Sequence, residues 1–135
     1  MSSGLIKILI VEDEESMREG LAELLRLDGF EVATARDGED GYQQALLFEP
    51  DMIITDLVMP VLDGLELSRL IRRQHGRVRS VPILALSANL QDYHLTSRMN
   101  SGINRFLSKP LNDYQGLVTT IKSLLAAETS AAPAA

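Results

Sequence analysis

The chain has 135 residues, 45% hydrophobic and 24% charged, which fits one globular domain able to bury about two-thirds of its unfolded surface. Its formal net charge of -6 argues against a direct nucleic-acid partner, which would require clustered Lys and Arg, and the lack of cysteine excludes disulfides and thiolate metal sites. No apolar run is long enough to span a bilayer and the N-terminus has no signal-peptide core, so a cytoplasmic protein with no membrane partner is expected.

In chain order, residues 1–4 form an expected flexible leader. Leu5 to Val11 is an apolar run broken only by Lys7 and reads as a buried first strand. Four carboxylates follow, Glu12 to Glu15. They suit either a helix start, where acids complement the helix dipole, or a cation site at a strand end. Met17, Leu21, Leu24 and Leu25 recur at helical spacing up to a stop at Gly29. Phe30 to Ala35 alternates as a half-buried second strand. Asp37 is placed to cap the next helix, although Gly38 and Gly41 weaken its first turn. Tyr42, Ala45, Leu46 and Phe48 give that helix an apolar side, and Pro50 ends it.

Met52, Ile53 and Ile54 lead, as a third strand buried on both faces, into Asp56, and Pro60 closes the run. Asp63 is the expected cap of a third helix with Leu67, Leu70 and Ile71 buried, and Arg72, Arg73 and Gly76 suit its end. Val81 to Ser87 reads as a fourth strand with Pro82 at its entry. Tyr93, Leu95 and Met99 mark a fourth helix of weaker amphipathicity, and Ile103 to Ser108 a more polar strand at a sheet edge. Asn112 is the expected cap of a last helix packed through Leu117, Ile121, Leu124 and Leu125. The domain is thus expected over 5–125, with 126–135 as a flexible tail or linker.

Strand and helix alternate five times in this reading, which predicts an α/β fold: a three-layer (βα)5 flavodoxin-like domain with a parallel sheet in strand order 2-1-3-4-5. Chemistry in such sheets gathers beyond the carboxyl ends of the strands. Asp56 ends the third, where an aspartate can also simply open a turn. Its company sets it apart: Glu12 and Asp13 follow the first strand, Ser87 ends the fourth and Lys109 follows the fifth. Clustered carboxylates can hold Mg2+, and a carboxylate can attack phosphorus to give an acyl phosphate. A cation and an ammonium neutralise phosphoryl oxygens during transfer, and a hydroxyl can hydrogen-bond the product.

The set Glu12-Asp13, Asp56 in Asp-Leu-Val-Met-Pro with Asp63-Gly64 following, Ser87-Ala88, and Lys109-Pro110 resembles the receiver domain of two-component response regulators, from Ile6 to about Leu125. The resemblance implies that Asp56 accepts a phosphoryl group from the phosphohistidine of a histidine kinase or histidine phosphotransfer protein. It implies Mg2+ held by Asp13, Asp56 and the backbone carbonyl of Val58, with Glu12 acting through water and with Ser87 and Lys109 on the phosphoryl oxygens. Phe106 matches the family's switch aromatic, acting with Ser87. The output surface would be the fourth helix, fifth strand and last helix, with Tyr93, Arg105 and Tyr114 as contacts for a downstream effector or a second receiver. Such a chain is a signalling receiver and not an enzyme beyond its own phosphorylation and dephosphorylation. The acid pair is Glu-Asp rather than Asp-Asp, and serine stands where threonine is frequent. The phrase Ala85-Leu86-Ser87-Ala88-Asn89 is similar to receivers attached to hybrid sensor kinases.

Other classes share parts of this pattern. A flavin or nucleotide binder needs a Gly- or Ser/Thr-rich loop after the first strand, where this chain carries Glu12 to Glu15. A Mg2+-dependent phosphatase with an aspartyl nucleophile wants a second acid two residues on, where Val58 stands. A receiver-like binding module that works without phosphorylation is the remaining alternative. His75 and His94 read as solvated helix residues.

Overall fold

The computed structural model describes residues 4–88, 102–109 and 112–131. Strands β1 (Lys7–Val11), β2 (Glu31–Ala35), β3 (Met52–Asp56), β4 (Ile83–Ser87) and β5 (Arg105–Ser108) form one parallel sheet in the order β2-β1-β3-β4-β5. Helices α1 (Glu15–Leu27), α2 (Gly38–Phe48) and α3 (Gly64–Arg72) and a C-terminal helix (Tyr114–Ala131) cover its faces. The expected fold class and strand order are those observed. The helix expected around Tyr93, Leu95 and Met99 lies outside the described residues, as do His94, Asn89 and Pro110.

Side chains alternate across a strand, so each apolar strand feeds two cores at once. Ile8, Ile10, Met52, Ile54, Leu84 and Leu86 pack with Leu21, Ala22 and Leu25 of α1 and with Leu117, Ile121 and Leu124 of the C-terminal helix. Leu9, Val11, Ile53 and Ile83 face the other way, against Ala45 of α2 and Leu67 and Ile71 of α3. Leu24 and Leu46, expected on buried faces, are 45% and 42% exposed: α1 turns Leu21, Ala22 and Leu25 inward, and α2 turns Gly41 and Ala45 inward.

The helix starts follow local chemistry. Asp37 Oδ1 accepts from the Asp40 amide at 2.8 Å, and Asp63 forms a reciprocal box with Glu66. At the C-terminal helix the cap is Asp113 rather than Asn112: Asp113 Oδ1 accepts from the Gly116 amide at 2.9 Å. That helix continues to Ala131, through the first residues of the expected linker. Its Tyr114, expected as a partner contact, is half-buried and its hydroxyl lies 3.0 Å from both Leu24 O and Asp28 Oδ2 on α1. One O–H can donate to only one of these at a time. Burial and the Asp28 carboxylate push the phenol up to about 12.

At the edge of the sheet away from the rim acids, Arg72 at the end of α3 acts as a clamp. Its guanidinium donates to the carbonyls of Gly102, Arg79 and Val81 and to Asn104 Oδ1, which in turn accepts from the Ile83 amide. A 3-10 turn, Arg77–Ser80, unforeseen in the sequence, joins α3 to β4 and buries Val78.

Glycine marks two close approaches near the site. A Cβ on Gly38 would stand 2.0 Å from Leu62 O, and one on Gly64 would stand 2.4 Å from Asp56 O. Both residues open helices, so their low helix propensity is offset by access to backbone that no side chain permits. Gly64→Ala is therefore expected to destabilise the fold by about 1–3 kcal/mol despite the better helix former. A lower urea midpoint at unchanged slope checks this; a midpoint equal to or above the parent's would contradict the contact.

Candidate functional site

The carboxyl ends of the parallel strands share one rim, and the predicted residues meet there. The four acids after β1 divide the two readings between them. Glu12 is buried, its backbone N–H extending the sheet to Ala35 O at 3.0 Å and its Oε2 accepting from the Glu14 amide at 3.1 Å. Asp13 is exposed at the pocket mouth. Glu14 caps α1, its Oε1 accepting from the Met17 amide at 2.9 Å, and Glu15 complements the dipole in the first turn.

Asp56 ends β3 and is 7% exposed. The hydroxyl of fully buried Thr55 donates to the Asp56 carbonyl at 2.9 Å, and the Leu57 amide donates to Leu86 O at 2.9 Å. Ser87, buried at the end of β4, pairs in register with Ser108. Lys109 leaves β5 with its backbone N–H on Ser87 O at 2.8 Å. Its Nζ lies 3.1 Å from Glu12 Oε1 and 3.1 Å from Asp56 Oδ2. Carboxylate oxygens of Glu12, Asp13 and Asp56 all come within 4.8 Å of one another. The Val58 side chain is exposed two residues beyond Asp56, and half-buried Phe106 sits on β5 opposite Ala85.

Burial raises the Glu12 carboxyl above its usual range and outweighs the Glu14 amide and the Lys109 ammonium, which pull it down; the neighbouring Asp56 charge adds to the rise. For Lys109, burial opposes the charge, but the hydrogen bonds and charges of Glu12 and Asp56 outweigh it and the ammonium is held above its ordinary value. Apart from the Lys109 ammonium at 3.1 Å, the buried Glu12 Oε1 has no polar partner among the described residues. An all-oxygen donor set with one such buried oxygen fits a hard, partly hydrated cation of the Mg2+ type.

Two contributors were absent from the sequence reading. Thr55 carries no sequence signal beyond its place between an apolar run and Asp56. Arg18 donates from Nη1 to the Glu12 carbonyl at 3.0 Å, and the available signal was its place one turn into α1, since long helical side chains lean back toward the N-terminus.

Compared with known proteins, residues 8–122 match the family described as response regulator receiver domain. The response regulator ArlR of Staphylococcus aureus is 35% identical over 88% of this chain, which spans about half (52%) of that relative's length. Among solved structures, a putative response regulator from Chloroflexus aurantiacus superposes with TM-score 0.80 at 35% identity, covering 90% of this chain and 98% of that one. The receiver domain of sensor histidine kinase PA1611 from Pseudomonas aeruginosa, with magnesium coordinated in its active-site cleft, superposes with TM-score 0.81 at 31% identity, covering 91% and 99%.

The raised Glu12 carboxyl yields a signed expectation. A carboxyl raised on folding favours the native state while protonated, and that contribution is lost as pH rises through the folded value. Glu12→Gln, which mimics the protonated form, should match the metal-free parent in stability at acid pH and exceed it increasingly as pH rises through the carboxylate range. Melting curves across pH check this, and a variant less stable than the parent at neutral pH would contradict it.

Proposed function

The chain belongs to the response regulator receiver domain family, and on that premise we propose that it is a phospho-accepting receiver that takes a phosphoryl group onto Asp56. The observation that carries this reading is the Lys109 ammonium 3.1 Å from the Asp56 carboxylate on a rim where three carboxylates converge. An Asp56 oxygen attacks the phosphorus of a phosphohistidine. The P–N bond breaks as the P–O bond forms, and the imidazole departs with the electron pair. Lys109 supplies positive charge to the phosphoryl oxygens, and the Ser87 hydroxyl would hydrogen-bond the product. Asp13 and Asp56, with the Val58 carbonyl, would hold Mg2+, and Glu12 would act through water. Bound there, the ion would neutralise charge on the transferring group. The apolar Val58 offers no general acid for phosphatase turnover.

The donor in this reading is a histidine kinase or a histidine phosphotransfer protein, and the setting is the cytoplasm. Among the described residues no helix is long and apolar enough to cross a membrane. For output, drawing Ser87 toward the phosphoryl group would open space beside β5 for Phe106 to turn inward. The face around β5 and the C-terminal helix would then bind an effector or a second receiver. Exposed Arg105 is available there, whereas the Tyr114 hydroxyl is engaged by α1.

Acetyl phosphate with Mg2+ should add one phosphoryl mass to the parent and none to Asp56→Asn, and omission of Mg2+ should abolish the addition. Equal labelling of parent and variant by intact mass would remove Asp56 from its role. Amide shifts on phosphorylation should extend from the rim to Phe106, and shifts confined to the rim would remove the switch.

A further inference from the structure

Glu12 and Asp13 are joined by one peptide, and the main chain of Glu12 is tied on both sides to other elements. Its N–H donates to Ala35 O at 3.0 Å, and its carbonyl accepts from Arg18 Nη1 at 3.0 Å. That carbonyl lies in the peptide plane that carries Asp13, so its direction governs how Asp13 leaves β1. The Arg18 side chain is only 14% exposed, and its Nε is occupied by Glu19 Oε2 at 3.2 Å. Neighbouring helix positions do not ordinarily face each other, so this pair requires the Glu19 carboxylate to swing round to the guanidinium.

From these contacts we infer that Arg18 is a positioning residue for the cation-binding acids: by holding the Glu12 carbonyl it fixes the peptide between Glu12 and Asp13 and thereby aligns Asp13 with Asp56. The inference rests on the magnesium reading of the site. Two effects of Arg18 on a divalent cation oppose each other. Its charge repels the ion, whereas its hydrogen bond prearranges two of the acids that would receive it. The hydrogen bond acts directly on the peptide that carries Asp13, so the positioning effect is the larger. The sign of the response to mutation separates the two.

The test titrates Mg2+, without phosphodonor, into the parent, Arg18→Met, Arg18→Lys and Glu19→Gln, followed by backbone amide shifts. Arg18→Met keeps bulk without a donor and should weaken Mg2+ binding about tenfold, the usual scale when a group orienting a metal ligand is lost. Arg18→Lys, which retains one donor, should recover part of that loss. Glu19→Gln, at an exposed position, keeps the bond to Glu12 and should change affinity less than about twofold. In the metal-free protein, the Glu14 amide that donates to Glu12 should exchange faster in Arg18→Met, while amides of β3 keep parental rates. Unchanged or tighter Mg2+ binding in Arg18→Met, as loss of a positive charge alone would produce, overturns the inference. So does a loss in Glu19→Gln as large as the one expected of Arg18→Met. A parent whose amides do not respond to Mg2+ overturns the magnesium reading itself.

Discussion

Lys109 places its Nζ 3.1 Å from Glu12 Oε1 and 3.1 Å from Asp56 Oδ2, and both acids are buried. Withdrawing a carboxylate from water costs several kcal/mol even after relaxation, and one ammonium shared between two acids returns only part of it. With Asp13 added, the rim holds three carboxylates against one lysine. Burial raises the Glu12 carboxyl, with the Asp56 charge adding to it, and the two acids hold Lys109 above its ordinary value. The excess of carboxylates makes the rim a place where a further positive charge is welcome. A phosphoryl group arriving on Asp56 would find a cation already in reach, because Lys109 needs only to exchange one oxygen partner for another.

The sheet holds this arrangement by extending its own ladder past the strand ends. Glu12 N–H bonds Ala35 O, Leu57 N–H bonds Leu86 O, and Lys109 N–H bonds Ser87 O. The site residues are therefore positioned by the same parallel pairing that builds the core, and not by a separate loop scaffold. The exposed loop after Asp56 carries a strained residue. There Val61 adopts φ 71 around a Leu62 N–H to Pro60 O bond of 2.8 Å, an uncommon backbone for a β-branched residue. At the opposite edge, Arg72 draws together the start of β4 and the approach to β5, the two strands that end in Ser87 and lead to Lys109.

Much of this was readable from residue order because the signals are local. Apolar runs bounded by Pro50, Pro60 and Pro82 give strands buried on both faces, Asp37 and Asp63 announce helix starts, and a parallel sheet obliges strand ends to share a rim. What stayed hidden depends on contacts distant in sequence. Gly38 reads as a weak helix opener until Leu62 O is found against it, and Arg72 reads as a helix-end charge until its carbonyl partners are known. The choice between Asn112 and Asp113 as cap turned on a one-residue boundary, which propensity does not resolve. The acidic run showed that something lay after β1, but not that its members divide into a buried acid, a pocket acid, a cap and a dipole partner.

A crystal structure of the chain with Mg2+ and beryllofluoride, which stands in for the phosphoryl group, tests the role of the Lys109 bridge most directly. Beryllofluoride should sit on an Asp56 carboxylate oxygen, with Lys109 Nζ turned from Glu12 to a fluoride and its backbone N–H still on Ser87 O. A fluoride group seated away from Asp56, or Lys109 remaining between Glu12 and Asp56 without touching it, would contradict the assignment of this rim as a phosphoryl-accepting site.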